Sequence, residues 1–280
     1  MKKAAELAGF QEVRYVPEPL AAAFDYRKNN NQEKMILIGD FGGGTSDFTI
    51  MKIHPGDYQE SDVLAIDGCP LAGDAFDRLL MKNKLNVHFG AKAKYRFPMS
   101  NNVLTMPPGI SERLENPAHI VHLKDRETYE FIKEVKKYGL TEDDKESIER
   151  LQIMIDDQQI FSFFEVIEST KKKLSINENV DFIFEYPDLE VNETFQRLQF
   201  ELWAQENFQQ IFAAVDRCFV QANLTENEID LVCLTGGTSK VPLIANEFVR
   251  RFGQEKLQTQ SQFHSVISGL TEAAKMWGQE

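Results

Sequence analysis

Residues 36–50 read Ile-Leu-Ile-Gly-Asp-Phe-Gly-Gly-Gly-Thr-Ser-Asp-Phe-Thr-Ile. The apolar run before the glycines and the alternation of apolar and polar residues after them are typical of two β-strands. Three consecutive glycines indicate a tight turn, so the sequence predicts a hairpin with one acid on each strand, Asp40 and Asp47. We expect the rest of the chain to be organised around this hairpin.

The turn of the hairpin has the composition of a phosphate-binding loop. Glycines carry no side chain that would hold a ligand away, so their backbone N–H groups can converge on an anion. The two acids would hold a divalent cation or its water ligands, and the cation would bridge to the phosphate. A glycine-rich hairpin often serves only as a turn, and this alternative stays open. The candidate loop residues are Gly42, Gly43, Gly44 and Thr45.

The composition argues against several classes of protein. A chain of 280 residues with 42% hydrophobic and 27% charged residues can form a soluble globular protein with a substantial core. The formal net charge of −13 argues against binding to nucleic acid or to an anionic membrane, since both require a basic surface. No apolar run approaches the roughly 20 residues of a membrane span, and the N-terminus lacks the apolar segment of a signal peptide. We therefore expect a cytoplasmic protein.

The cysteines and histidines do not form a metal-binding pattern. Cys69, Cys218 and Cys233 are odd in number and widely spaced, which favours reduced thiols over disulfides or a zinc site. His119 and His122 lie close together, but no cluster of further cysteines or histidines accompanies them, so we expect no metal there.

Before the hairpin, Glu18 lies between two prolines at the start of a helix-forming segment, Leu-Ala-Ala-Ala-Phe. The prolines would place Glu18 stiffly. A glutamate at that position can also be a solvated charge that the helix dipole favours, and this alternative stays open.

The region after the hairpin is predicted to be mainly helical. A strand at 62–66 precedes a helix that runs through residue 80, and its acids Asp74 and Asp77 suit a first helical turn without any function. Several prolines between residues 95 and 120 indicate an ordered insertion or a long connection. The further predicted elements are helices at 126–138, from Thr141 onward and at about 194–222, and a strand at 180–186. We expect the helix at 194–222 to bury Leu198 and Leu202.

A helix at about 160–174 ends in Glu-Ser-Thr-Lys-Lys-Lys-Leu-Ser, residues 168–175. Glu168, Lys171 and Ser175 are spaced three and four apart, so one helix face could present an acid, a cation and a hydroxyl to the same ligand. Lysines in a last turn can also simply complement the helix dipole.

A second glycine turn follows an apolar strand at 229–235 and leads into a helix at 243–252. This order can place backbone N–H groups and a helix N-terminus against a nucleotide, although two glycines alone are a weak signal. The candidate residues are Gly236, Gly237, Thr238 and Ser239.

Five motifs in this order resemble the nucleotide-binding domain of heat-shock protein 70 (DnaK-type) chaperones. They are Pro-Glu-Pro-Leu-Ala-Ala-Ala, Asp-Phe-Gly-Gly-Gly-Thr-Ser-Asp, Leu-Ala-Gly-Asp-Ala-Phe-Asp, Glu-Ser-Thr-Lys-Lys-Lys-Leu-Ser and Thr-Gly-Gly-Thr-Ser-Lys-Val-Pro. The resemblance spans nearly the whole chain and is poorest over residues 90–160. It implies an α/β, actin-like ATPase (ribonuclease H-like) fold, in which two lobes enclose ATP.

The resemblance also implies a role for each motif residue. Glu18 would orient water near magnesium and the γ-phosphate, Asp40 would hold the metal through water, and Asp47 would position a monovalent cation or the attacking water. The residues implied to hold adenosine are Glu168, Lys171, Lys172 and Ser175, with Lys172 where the family often has an arginine. The phosphate cradle would be Gly42, Gly43, Gly44 and Thr45, and the pocket would be closed by Gly236, Gly237, Thr238 and Ser239.

Four segments follow from the resemblance: a first-lobe remnant and linking helix at 1–26, a second-lobe α/β core at 27–73 and 205–262, a helical insert subdomain at 74–204, and a closing helix at 263–280. The family's first phosphate loop and its peptide-binding β-domain do not occur in these residues. We therefore expect a fragment of a short, YegD-type DnaK-like protein.

The implied function is the ATP- or ADP-binding lobe of a chaperone ATPase that uses Mg²⁺ and K⁺. The complete protein would hydrolyse ATP to drive a conformational change and would meet unfolded proteins and co-chaperones in the stress response. Because half of the cradle is missing, we expect the fragment alone to be inactive. The alternatives are a bacterial actin-like filament ATPase and a nucleotide-binding module without chaperone activity, and a sugar kinase fits less well.

Overall fold

The computed structural model describes residues 2–13, 16, 21, 32–54, 59–259, 270–271 and 274. Glu18, most of the predicted linking helix and most of the predicted closing helix lie outside these residues. The chain divides into two compact units. The first unit comprises Met1–Cys69, Ile211–Ser239 and Ile244–Glu280, and the second comprises Pro70–Gln210 and Lys240–Leu243.

The described strands and α-helices follow one another in groups along the chain. The strands are β1 Lys34–Phe41, β2 Ser46–Ile53, β3 Val63–Cys69, β4 Lys94–Tyr95, β5 Leu104–Thr105, β6 Asn179–Tyr186, β7 Leu189–Gln196, β8 Leu231–Thr235 and β9 Leu257–Thr259. The helices are α1 Lys2–Leu7, α2 Gly73–Leu80, α3 Pro108–Leu114, α4 Arg126–Lys137, α5 Glu142–Asp156, α6 Ile160–Leu174, α7 Arg197–Trp203, α8 Gln205–Ala222 and α9 Pro242–Phe252. Among them, no helix has the length and apolar character that a membrane span requires.

The first unit is built on a five-stranded sheet in the order β3-β2-β1-β8-β9. The predicted hairpin is confirmed, because β1 and β2 pair antiparallel from Lys34 to Phe41. β1 also pairs with β8, and this pairing is parallel. The carboxyl ends of β1 and β8 therefore lie at the same edge of a mixed sheet, which confirms an α/β fold.

β1 is buried because it lies in the middle of this sheet. Residues 36–38 are almost fully inaccessible to solvent, as expected for an apolar strand covered on both faces. At its end, the ring of Phe41 lies edge-to-face against Phe48 and against Phe248 of α9, at 5.6 and 6.1 Å between centroids. Burial of each such ring contributes roughly 1.5–3 kcal/mol. This packing fixes the end of the strand that carries Asp40.

The second unit packs helices against the hairpin of β6 and β7. Phe163, in α6, contacts Phe89, Phe182 and Phe184, with ring centroids 5.2, 5.0 and 5.0 Å away. The predicted helices α4, α5 and α6 are confirmed, and α5 begins with a capping box between Thr141 and Asp144.

The region predicted as an insertion or a long connection is ordered. It contains β5, α3 and a 3-10 segment at Pro117–Leu123. An open cavity of about 550 Å³ lies between Arg78 of α2 and residues of α3 and the turn that follows it.

The prediction of one continuous helix over 194–222 is wrong in two respects: the helical part begins later, and it consists of two helices. Residues 189–196 instead form β7, whose alternating burial follows the sequence Leu-Glu-Val-Asn-Glu-Thr-Phe-Gln. The helical part is divided at Ala204 into α7 and α8. Leu198 and Leu202 are 70% and 63% exposed, so the expectation that they are buried is also wrong.

Candidate functional site

Two carboxylates stand opposite each other at the edge of the sheet in the first unit. Asp40 of β1 and Asp47 of β2 are direct cross-strand partners, so their side chains project from the same face. The hydroxyl of Thr235 donates a hydrogen bond of 2.7 Å to Asp40, and the hydroxyl of Thr45 donates one of 2.8 Å to Asp47. Asp40 is half-buried and Asp47 is exposed. Each acid is therefore oriented by a hydroxyl group.

The turn between these strands is open. The Gly42 N–H donates to the Thr45 carbonyl oxygen at 2.9 Å, which closes the loop. Gly43, Gly44 and Thr45 are exposed, and a Cβ atom on Gly44 would meet nothing within 4 Å. Within the part of the chain that the structure describes, the backbone N–H groups of these three residues donate no hydrogen bond. The loop thus presents unused donors next to two acids.

The second glycine turn lies against the end of β1. Gly236 has a φ of 88°, and a Cβ atom there would overlap the carbonyl oxygen of Phe41. The Ser239 hydroxyl donates to the Gly236 carbonyl oxygen at 2.6 Å and so closes the turn. Thr238 and Ser239 are buried, whereas Gly237 is exposed. The edge of the sheet therefore brings together both predicted glycine loops, and such edges are where open α/β sheets bind ligands.

On α6, in the second unit, Glu168 and Lys172 form an exposed ion pair of 2.7 Å. The hydrogen bond from Lys172 is the main cause that lowers the pKa of Glu168 below its usual value. Ser175 is half-buried at the end of the helix. These three side chains are accessible, and their assignment to adenosine stays a prediction.

Lys171 differs from these neighbours because its ammonium is inside the second unit. Its Nζ donates to Asp77 Oδ2 at 2.8 Å and to the Gly73 carbonyl oxygen at 3.0 Å. Burial raises the pKa of Asp77 to about 6, against the opposing effect of Lys171. The expectation that Asp77 is only a first-turn acid is wrong: α2 has Asp74 in its first turn, and Asp77 is buried.

Two residues near the carboxylates were not singled out from the sequence. Thr235 is the last residue of β8, and only the parallel pairing of β8 with β1 reveals that it reaches Asp40. Gly68 lies opposite Asp47 on β3, where a Cβ atom would come within 2.7 Å of Asp47 Oδ1. A glycine inside a strand is a known sign of such a close approach.

The described residues contain no group of three or more His, Cys, Asp or Glu side chains arranged to hold a metal ion. Among the described residues, Asp40 and Asp47 are the two acids that are predicted to hold a metal, and they lie opposite each other. The predicted contribution of Glu18 lies outside the described residues.

A comparison with protein families matches the sequence model described as "Hsp70 protein" to residues 1–106 and 130–276. The chain is 26% identical over 264 residues to "Chaperone protein dnaK3" of Thermosynechococcus vestitus, an alignment that covers 92% of this chain and 30% of that protein. It is 28% identical over 257 residues to "Chaperone protein HscA homolog" of Pseudoalteromonas atlantica, covering 91% and 31%. Over a shorter range of 86 residues, it is 44% identical to the homolog of the same name in Shewanella woodyi, covering 30% and 13%.

The chain spans about a third of the length of the curated relatives that it matches over most of its residues. The names of these relatives favour the chaperone resemblance over the filament-protein and sugar-kinase alternatives. Because the family model matches well over half of the chain, the protein belongs to the Hsp70 family.

Proposed function

We propose that this chain is an ATP- and ADP-binding part of a DnaK-like chaperone ATPase, and that the turn of the β1–β2 hairpin binds the phosphates. The observation that carries the proposal is the set of unused backbone N–H donors at Gly43, Gly44 and Thr45, beside two carboxylates. Donors of this kind bind an anion locally. They suit a protein whose formal net charge is −13 and which has no general attraction for anions.

The two acids fit a hard cation that accompanies the phosphates. Carboxylate oxygens are ligands that Mg²⁺ prefers, usually together with water and phosphate oxygens. We propose that Asp40 holds Mg²⁺ through water and that Asp47 positions K⁺ or the attacking water. Glu18 is proposed to orient water near Mg²⁺ and the γ-phosphate. When bound, Mg²⁺ neutralises charge on the phosphates. The hydroxyls of Thr235 and Thr45 hold the two carboxylates in orientation for this role.

The adenosine is assigned by resemblance to Glu168, Lys171 and Lys172 of α6 and to Ser175, which follows its last residue. The exposure of Glu168 and Lys172 supports this assignment. The glycine turn at 236–239 is proposed to approach the phosphates, and its position beside Phe41 supports that role.

For the complete protein we propose ATP hydrolysis that drives a conformational change, with unfolded proteins and co-chaperones as partners in the cytoplasm under stress. The second lobe of an actin-like ATPase would then comprise an α/β core at 27–73 and 205–262 and a helical subdomain at 74–204. The names of the DnaK and HscA relatives support the chaperone part of this proposal.

The substitution Gly44→Ala tests the phosphate assignment. The added methyl group meets no atom of the described fold, so the protein should keep its stability, but the methyl group occupies the space a phosphate would approach. In calorimetry with Mg²⁺, we expect ADP affinity to fall about tenfold, equivalent to about 1.4 kcal/mol. Affinity for adenosine, which has no phosphate, should be unchanged.

Gly109→Ala is the matched control. A Cβ atom on Gly109 also meets nothing within 4 Å, and this residue lies in α3 of the second unit. Its ADP affinity should equal that of the unmodified protein. Equal ADP affinity in Gly44→Ala would disprove the phosphate assignment, and the absence of ADP binding by the unmodified chain at millimolar concentration would disprove the function.

A further inference from the structure

Lys171 and Asp77 form an ion pair that is almost closed to solvent, with each side chain 11% exposed. The pair connects α6 with the second turn of α2, and the carbonyl oxygen of Gly73 accepts a second hydrogen bond from the ammonium. An ammonium group has three N–H donors. Within the described part of the chain, the third donor of Lys171 has no acceptor.

The carboxylate of Asp77 is only partly satisfied. Its Oδ2 atom accepts from Lys171, whereas Oδ1 is buried and has no hydrogen-bond partner in the structure. Buried polar atoms normally have a partner, and a native exception calls for an explanation in function or strain. Replacing the carboxylate by an apolar group would remove this orphaned atom, but it would also release the ammonium. In the structure, Asp77 therefore fixes the position of the Lys171 ammonium.

We propose that Asp77 is a positioning residue for nucleoside recognition: it holds the Lys171 ammonium so that its third N–H can donate to a neutral oxygen of the nucleoside. The inference rests on the proposed function, which places adenosine at α6. The resemblance to the family already implies that Lys171 contacts the nucleoside, and the inference concerns the role of Asp77. Because the adjacent carboxylate compensates the charge of Lys171, the pair attracts an anion weakly and suits a hydroxyl acceptor.

This arrangement makes nucleoside affinity depend on pH. The charged groups that act on Asp77 are Lys171 and Glu168 of α6 and Asp74 of its own helix. The pKa of Asp77 is raised to about 6, first by burial, so the carboxylate becomes protonated as the pH falls through 6. Protonation removes the ion pair and frees the Lys171 side chain. Affinity for the nucleoside should therefore fall on the acid side of about pH 6.

Adenosine is the probe that isolates this effect, since it carries no phosphate that would titrate in the same range. Binding is measured by calorimetry on the full chain between about pH 5 and pH 8, the range in which a carboxyl group perturbed in this way changes charge. For the unmodified protein, we expect at least a fivefold loss of affinity, about 1 kcal/mol, on going from about pH 7.5 to pH 5. Asp77→Asn should bind at least about fivefold more weakly at pH 7.5, with a flat pH profile.

Asp74→Asn is the matched control, because it removes the same charge from an exposed position of the same helix. It should keep the affinity at about pH 7.5 and the loss of affinity in acid, with the profile moved only slightly to lower pH, because Asp74 is the smallest of the causes that raise the pKa of Asp77. A flat profile in the unmodified protein would overturn the inference, and this measurement requires no variant to fold. The inference would also be overturned if the Asp77→Asn variant retained the adenosine affinity and the pH profile of the unmodified protein. Both results would leave the proposed function intact, whereas a failure of the unmodified chain to bind either adenosine or ADP would reject both.

Discussion

Gly236 is the residue that allows the turn after β8 to reach the end of β1. Its φ of 88° lies in the region that only glycine adopts readily, and any Cβ atom would overlap the Phe41 carbonyl oxygen. Both restrictions act at the edge of the sheet that carries the candidate phosphate loop. A side chain at this position would therefore strain the backbone and separate two strands of the site.

The substitution Gly236→Ala should lower the free energy of unfolding by about 2–4 kcal/mol, since it combines an unfavourable φ with a backbone overlap. Chemical denaturation measures this change. Gly237→Ala is the control, because a Cβ atom on the neighbouring glycine meets nothing within 4 Å and its cost should stay below about 1 kcal/mol. If both substitutions lowered the free energy of unfolding by similar amounts, a Cβ atom at position 236 would not overlap the Phe41 carbonyl oxygen as described, and the prediction would be wrong.

The sequence predicts the role of a single residue when its partners are close in the chain, and does not when they are distant. The glycines and acids of the hairpin can be read from a local pattern, because a turn and its flanking strands are contiguous. Asp77 cannot be read in this way, because its partner Lys171 is 94 residues away. Thr235 likewise acquires a role only through the pairing of two distant strands. Packing between elements, and not local propensity, decides both cases.

Among the secondary-structure elements, those with a strong period were predicted correctly. The helices α4, α5 and α6 agree with their apolar spacing and, for α5, with its capping box. β7 was missed because its C-terminal residues were assigned to the helix that follows. The decisive signal was its period of two, in which Leu189, Val191 and Phe195 alternate with polar residues. Where a strand leads directly into a helix, as β7 does into α7, the spacing of apolar residues changes from every second residue to every third or fourth. This change marks the boundary between the two elements.

The aromatic cluster that joins α6 to the β6–β7 hairpin gives a prediction at this scale. Phe163 is fully buried and contacts three other rings, so Phe163→Ala should lower the free energy of unfolding by about 3–5 kcal/mol. The matched control is Phe161→Ala in the same helix, where the ring is 60% exposed and the change should be within about 0.5 kcal/mol. Urea denaturation followed by circular dichroism compares them. Equal losses in the two variants would contradict the burial described for α6.

For the whole molecule, the family could be predicted from the order of five motifs, and the match to the Hsp70 family model confirms it. No single motif would have sufficed, since short glycine-rich stretches are common in turns. The family match omits residues 107–129, which include α3, the 3-10 segment after it and the first residues of α4. The sequence predicted this region only as an ordered insertion or a long connection. Prolines indicate where helices and strands end, but they do not define the secondary structure between those ends.

Nucleotide binding should stabilise the whole molecule by mass action. At an ADP concentration about 100 times the Kd, the free energy of unfolding should rise by about 2.7 kcal/mol, provided that the unfolded chain does not bind. A thermal shift with ADP and Mg²⁺ measures this effect. Gly44→Ala should show a smaller shift at the same ADP concentration, and Gly109→Ala should show the full one. Identical shifts in all three proteins would mean that ADP binds elsewhere.

The hydrogen bond between Thr235 and Asp40 joins residues that are 195 positions apart in the sequence. On the ribosome, β1 and β2 can pair as soon as they emerge, whereas β8 is not yet synthesised, and closing so long a loop is slow. During this interval the hairpin has an unpaired strand edge that is open to wrong partners. A nascent copy of this Hsp70-family chain is therefore exposed, while the residues between β2 and β8 are being translated, to the misfolding hazard that the proposed clients face.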